Sequence, residues 1–126
     1  MTLQTLSTPI NLADSLSSLH IQLLAGQSSA ADAISDLVVP ALLAEFHGRY
    51  FTVDYELILD AVVDETMSYL GTPLEYQPEN GTGLDRYVAK RVRRRIGHSL
   101  RSADRRRSRE QAWVDLCAAE FTDKAY

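Results

Sequence analysis

The chain has 126 residues, 45% of them hydrophobic, and a formal net charge of −4 at neutral pH, which predicts one domain with its own core and excludes wholesale disorder. Its single cysteine, Cys117, excludes an internal disulfide, and its three scattered histidines predict neither a metal site nor a cofactor. No apolar run approaches the ~20 residues of a membrane span and no signal-peptide pattern opens the chain, so we expect a cytoplasmic protein without a membrane partner.

Helical periodicity runs through almost the whole chain, so we predict an all-α fold of about four to six helices. A first helix over residues 11–25 has Asn11 as its N-cap and Gly26 as its stop signal. Ser28 or Ser29 can cap the second helix. Pro40 lies inside that helical pattern, so the segment is either kinked there or divided into two helices.

The third helix is the clearest prediction. Asp54 can cap it, residues 57–70 give it a wide apolar face, and Gly71 with the following Thr-Pro ends it. Residues 76–83 contain an Asn-Gly pair and a proline and read as a loop.

A fourth helix is predicted from about Leu84 to beyond Arg101. The sequence pattern does not decide whether this helix continues to Arg109. Its predicted buried stripe consists of Leu84, Tyr87, Val88, Val92, Ile96 and Leu100. A terminal helical turn or two is predicted around Trp113. We expect a single domain over 1–126, with an N-terminal helical extension over 1–30, a core over about 31–110 and a C-terminal helical segment over 111–126.

The positive charge of the chain is concentrated in one segment. Eleven of the 13 lysines and arginines lie between Arg86 and Arg109, a segment with one acid, Asp104. Ten of the eleven are arginines, which suit bidentate contacts to phosphates. The segment therefore predicts a polyanionic partner. The alternative is a solvated face, or a run neutralised by the chain's own acids.

Two further patterns adjoin this basic segment. Glu56, Asp60 and Asp64 follow at steps of four residues on one face of the third helix, with Glu65 beside them. They pair either with the chain's own arginines or with basic residues of another protein. The loop over residues 76–83, followed by Tyr87, offers groups that could stack on and hydrogen-bond an unpaired base, or it is a plain helix connector. No pattern of residues predicts an enzyme.

Taken in order, these segments resemble region two of bacterial sigma factors, most closely that of the extracytoplasmic-function class. The resemblance is carried by an acid-rich helix at 59–70, an aromatic-x-P-x-x-G loop at 76–81, and a helix from 83–88 into the arginine run, over roughly 37–109. Val63 stands where that family has glutamine, and Leu84 and Tyr87 replace its aromatic pair. No segment resembles the helix-turn-helix region four.

The resemblance implies a transcription initiation protein with two partners. Core RNA polymerase, through the clamp helices of its largest subunit, would contact Glu56, Asp60, Val63 and Asp64. The nontemplate strand of the promoter minus-ten region would contact Tyr76, Asn80, Arg86, Tyr87, Lys90, Arg91, Arg93, Arg94, Arg95 and Arg101. A targeting or anti-sigma protein is a possible third partner. Two alternatives stay open: a sequence-nonspecific nucleic-acid-binding protein, and an adaptor that binds polymerase but does not melt DNA.

Overall fold

The computed structural model describes the backbone of residues 12–124 and the side chains of residues 12–120. It contains four α-helices: α1 (Leu12–Leu24), α2 (Ser28–Arg49), α3 (Tyr55–Gly71) and α4 (Leu84–Lys124). Two 3₁₀ turns, Pro73–Glu75 and Pro78–Asn80, connect α3 to α4. No strand occurs in this part of the chain, so the all-α prediction is confirmed. The predicted cap Asn11 lies outside the described residues.

The turn between α1 and α2 follows the sequence signals only in part. Gly26 adopts a positive φ of 89° just after α1, as the predicted stop signal requires. The predicted serine cap is wrong, because Ser28 is already helical and Gln27 occupies the cap position without a side-chain capping bond. Pro40 lies within α2, which is one helix rather than two. Because Pro40 is exposed, its ring disturbs no core contact.

Both predicted ends of α3 are confirmed. The Asp54 side chain accepts a hydrogen bond from the Glu56 backbone N–H at 3.1 Å, which satisfies one of the free donors at the helix start. The helix ends at Gly71, and the N–H of Thr72 donates to the carbonyls of Ser68 and Tyr69. These interactions define the two ends of α3, the helix that carries the row of carboxylates.

The chain divides after Arg93 into two compact units, 1–93 and 94–126. In the first unit α2 packs against both α1 and α3. Its largest fully buried side chains are Leu16, Ile34, Val38, Leu42, Phe46, Ile58, Val62, Tyr69, Leu84, Val88 and Val92. Leu84, Val88, Val92 and Ile96 of the predicted stripe are buried, whereas Tyr87 and Leu100 are half-buried.

The unit over 94–126 consists of the remainder of α4, which continues through Arg109 to Lys124. The residues around Trp113, predicted to form a terminal helical turn or two, are helical and belong to this same helix. Neither glycine nor proline follows Gly97 in this helix. Pairs one turn apart support it, such as Asp104 with Arg107 at 3.0 Å between Oδ1 and Nη2. Side chains 104–120 are exposed. None of the described helices is both long and apolar enough to cross a membrane.

Candidate nucleic-acid interface

An aromatic cluster joins the loop after α3 to the start of α4. The rings of Tyr76 and Tyr87 lie 5.0 Å apart between centroids, and each also contacts Tyr69 of α3, at 6.2 and 6.4 Å. His20 of α1 packs edge-on against Tyr76 at 4.9 Å. Rings that meet at such angles attract each other beyond their area burial. The cluster thus fixes the loop against α4.

Tyr76 is the buried member that holds the loop in shape. Its side chain is only 5% exposed, and its hydroxyl donates to the carbonyl of Thr82 at 2.6 Å. Burial raises the pKa of the Tyr76 hydroxyl, so the group stays a neutral donor. The ring predicted to stack on a base is therefore mainly a structural support. Tyr87, which is half-buried, retains more exposure.

A cleft of about 210 Å³ lies at the surface of this loop. It is lined by Glu75, Tyr76, Gln77, Asn80, Thr82, Tyr87 and Lys90. Pockets for drug-sized ligands measure roughly 300–1,000 Å³, so this cleft suits a smaller group, such as a single ring. The loop over residues 76–83, predicted from the sequence as a candidate site for an unpaired base, therefore contributes to a concave site.

Gly81 makes the turn that closes this loop. It follows the second 3₁₀ turn with φ 82° and ψ −1°, in the left-handed region that favours glycine. Beside it, Asn80 Nδ2 donates to Gln77 Oε1 at 3.4 Å. The two amide side chains, which precede this turn, both line the cleft.

Arg86 is held by acids of its own unit. Its Nη1 and Nη2 donate to the two carboxylate oxygens of Glu45 on α2, at 3.3 and 2.5 Å, and its Nε donates to Asp85 at 3.3 Å. The hydrogen bond from Arg86 lowers the pKa of the Glu45 carboxyl. This guanidinium, predicted to contact DNA, is therefore engaged in joining α4 to α2.

Arg91 is engaged in the same way with α3. Its Nε donates to Glu65 Oε1 at 3.0 Å, its Nη2 to Ser68 Oγ at 3.1 Å and its Nη1 to the Tyr87 hydroxyl at 3.1 Å. The hydrogen bonds to Glu65, first of all, and to Tyr87 raise the pKa of Arg91. Arg91 also lies 5.7 Å from the centroid of the Tyr87 ring. This arginine orients Tyr87 at the cleft.

The other predicted basic contacts are exposed. In the unit over 1–93 these are Lys90, which lines the cleft, and Arg93. In the unit over 94–126 they are Arg94, Arg95 and Arg101. Neutralisation by the chain's own acids, one of the two alternatives for the basic segment, thus applies to Arg86 and Arg91 but not to Lys90.

The acidic residues of α3 separate into two groups. Glu56, Asp60 and Asp64 are exposed, and Val63 among them is half-buried. Glu65 has a side chain only 13% exposed and pairs with Arg91. Glu56 and Asp60 therefore present carboxylates to solvent, whereas the Glu65 carboxylate is part of the internal structure.

Several residues of this region were not identified from the sequence. Glu45 lies 41 residues from Arg86, and His20 lies 49 residues from Tyr69, so no local spacing relates them.

The described residues hold no group of three or more side chains arranged to bind a metal ion. No known protein family matches the chain, and neither the curated proteins nor the solved structures yield a match.

Proposed function

We propose that the chain is a sigma-factor-like transcription initiation protein. It docks on core RNA polymerase through α3 and binds the nontemplate strand of the promoter minus-ten region through the loop and α4. The observation that carries this proposal is the cleft of about 210 Å³ at the loop between the two helices. Its lining includes two tyrosine rings, two amides and a cation, which are the kinds of group that recognise an unpaired base and its phosphate.

The chemistry of the cleft supports a nucleobase as its ligand. Tyr87 offers a partly exposed ring for stacking, and Gln77 and Asn80 offer donors and acceptors for base edges. Lys90 adds a cation that can contact the adjoining phosphate. Because the cleft is small, it favours one base drawn out of the stack over a duplex.

The exposed carboxylates of α3 support a separate protein partner. Glu56 and Asp60 are exposed and lie one helical turn apart. Like charges at this spacing destabilise a helix by a few tenths of a kcal/mol, a cost that a cationic partner removes. The clamp helices implied by the resemblance to sigma region two are the proposed partner.

A DNA-binding measurement tests the cleft. Fluorescence anisotropy of the full chain would compare a single-stranded minus-ten-like oligonucleotide with a scrambled one of equal composition. Hydrogen bonds from the cleft amides to base edges discriminate between bases by about 1–3 kcal/mol for each bidentate pair, so we expect at least a roughly fivefold preference for the first. Gln77→Ala should reduce this preference, while the matched change Gln111→Ala on the unit over 94–126 should not. Equal binding to both oligonucleotides, with a steep salt dependence, would favour a nonspecific binder.

A pull-down with core RNA polymerase tests the docking surface. We expect Asp60→Lys to abolish retention, because it reverses one charge at the centre of the carboxylate row. Asp36→Lys, the same change at an exposed position of α2, should retain binding. Failure of the wild-type chain to bind polymerase would refute the sigma-like function.

A second candidate is an adaptor that binds polymerase without melting promoters. The burial of Tyr76 favours it, because a ring that is 5% exposed contributes little stacking surface for a separated strand. Retention on polymerase without any preference between the two oligonucleotides would identify the adaptor.

A further inference from the structure

The exposed part of α4 carries an ordered apolar and charged stripe that the proposed function does not use. Arg106, Arg109, Trp113, Leu116 and Glu120 follow one another at alternating steps of three and four residues. We call these five positions the seam. This spacing places side chains on one face of a helix and is the repeat of two-stranded coiled coils.

The seam is unpartnered within the described residues of this unit. Trp113 is 66% exposed and Leu116 is 53% exposed. Arg106 is also exposed, with its Nε 3.9 Å from Glu110 Oε1 of the same helix. Leaving a tryptophan and a leucine in water on one helical face forfeits roughly 25 cal/mol for each Å² of apolar surface left unburied. Covering this face would be favourable.

Charge changes sign along the same segment. Residues 101–109 contain five arginines and one aspartate, whereas residues 110–124 contain four acids and one lysine. A polyanion such as DNA would be attracted by the first half and repelled by the second. The partner that covers the whole face must therefore present an acidic end to Arg109 and a basic end to Glu120.

A second copy of this chain, running antiparallel, meets that requirement. In an antiparallel pair, moving four residues back along one helix corresponds to moving four residues forward along the other. When Trp113 of one copy faces Leu116 of the other, Arg109 therefore faces Glu120. The two-fold axis repeats each contact, as in any symmetric dimer. A parallel pair would instead set Arg109 against Arg109 and Glu120 against Glu120.

We propose that the segment over 106–120 is a self-association surface, forming an antiparallel helix pair through the seam. The apolar contact is limited to two tryptophans and two leucines, so the dimer is concentration-dependent. The opposed charges fix its register and direction, as polar residues at core positions do in coiled coils. This inference does not depend on the proposed function, since it uses no residue of the cleft or of α3.

Sedimentation equilibrium on the full chain tests the proposal across a concentration series. We expect a monomer–dimer equilibrium that weakens as salt screens the charged pairs. Arg109→Glu and Glu120→Arg should each raise the dimer dissociation constant by at least about tenfold, since each sets like charges opposite one another. The matched changes Arg107→Glu and Asp115→Arg lie off the seam and should leave the constant within about threefold. Circular dichroism checks that every variant remains helical.

Charge complementation gives the sharpest outcome. The double variant Arg109→Glu/Glu120→Arg should dimerise again, because both pairs are inverted together. Mixing the two single variants should give a heterodimer, since one carries two acids on the seam and the other two arginines. A wild-type chain that stays monomeric at every concentration would overturn the proposal. So would a dimer insensitive to the single reversals, or single variants that neither the double change nor mixing restores.

Discussion

The Nδ1 atom of His20 lies 2.5 Å from the hydroxyl oxygen of Tyr69, which links α1 to α3 inside the core. His20 is 3% exposed and Tyr69 is 1% exposed. Burial lowers the pKa of His20 and raises that of Tyr69, so both groups are neutral at pH 7. One hydrogen bond between two neutral groups therefore satisfies both polar atoms without a buried charge.

Folding stability should fall as the pH drops below about 6.5. The pKa of His20 is lower in the folded than in the unfolded chain, so the unfolded chain binds more protons in this window. Above the unfolded pKa, His20 is neutral in both states and the free energy of unfolding is not reduced by it. As the pH falls towards the folded pKa, the free energy of unfolding decreases by at most about 1.4 kcal/mol per pH unit. Urea unfolding at pH 7.5 and 5.5 measures the effect. His20→Leu should flatten this dependence, whereas His98→Leu, at an exposed position, should not.

Arg91→Ala should destabilise the fold by about 1–3 kcal/mol. It removes a charged hydrogen-bond donor to Glu65, a carboxylate with a side chain only 13% exposed, and also the donor to Ser68. Arg93→Ala removes an arginine two residues further along, at an exposed position, and should change stability by less than about 0.5 kcal/mol. Equal urea midpoints for the two variants would contradict an internal role for Arg91.

Gly81→Ala should lower the free energy of unfolding by about 1–2 kcal/mol, because the φ of 82° is unfavourable for a residue with a Cβ atom. No atom lies within 4 Å of the added carbon, so the cost comes from the backbone and not from a clash. Gly71→Ala is the matched control, since that glycine is helical and also has open space around it. Thermal unfolding should separate the two variants, and the oligonucleotide preference should decrease only for Gly81→Ala.

Tyr87→Ala should weaken binding of the minus-ten-like oligonucleotide by roughly 5- to 150-fold, the equivalent of about 1–3 kcal/mol for one stacked base. Tyr87→Phe keeps the ring but removes the hydroxyl that accepts a bond from Arg91. We expect that variant to bind within about threefold of wild type. If both changes weaken binding equally, the hydroxyl rather than the ring makes the contact. Anisotropy titrations at one fixed salt concentration give the comparison.

Features determined by neighbouring residues could be predicted from the sequence. Asp54, Gly26 and Gly71 act through backbone groups within a few residues, so the start of α3 and the ends of α1 and α3 followed from residue type. The i+4 steps of Val88, Val92 and Ile96 likewise identified the buried face of α4. The serine cap failed because the helix begins earlier than this signal suggests, so that Ser28 is already helical and Gln27 occupies the cap position.

Features that depend on distant residues could not be predicted. Nothing near Arg86 indicates that it pairs with Glu45, and nothing near Tyr76 indicates that His20 packs against it. Both facts require the relative placement of whole helices. The loop over residues 76–83 was identified as a candidate site by composition, but the division between the buried Tyr76 and the partly exposed Tyr87 depends on tertiary packing.

The position of Tyr76 has a consequence for how ligand binding and unfolding are coupled. The same ring lines the cleft and contacts His20 within the core. A ligand that fills the cleft only in the folded chain raises the free energy of unfolding by mass action. Since Tyr76 lies between the cleft and α1, local opening of α1 would release the loop as well. Hydrogen exchange along α1 would then slow on oligonucleotide binding, although no residue of that helix touches the cleft.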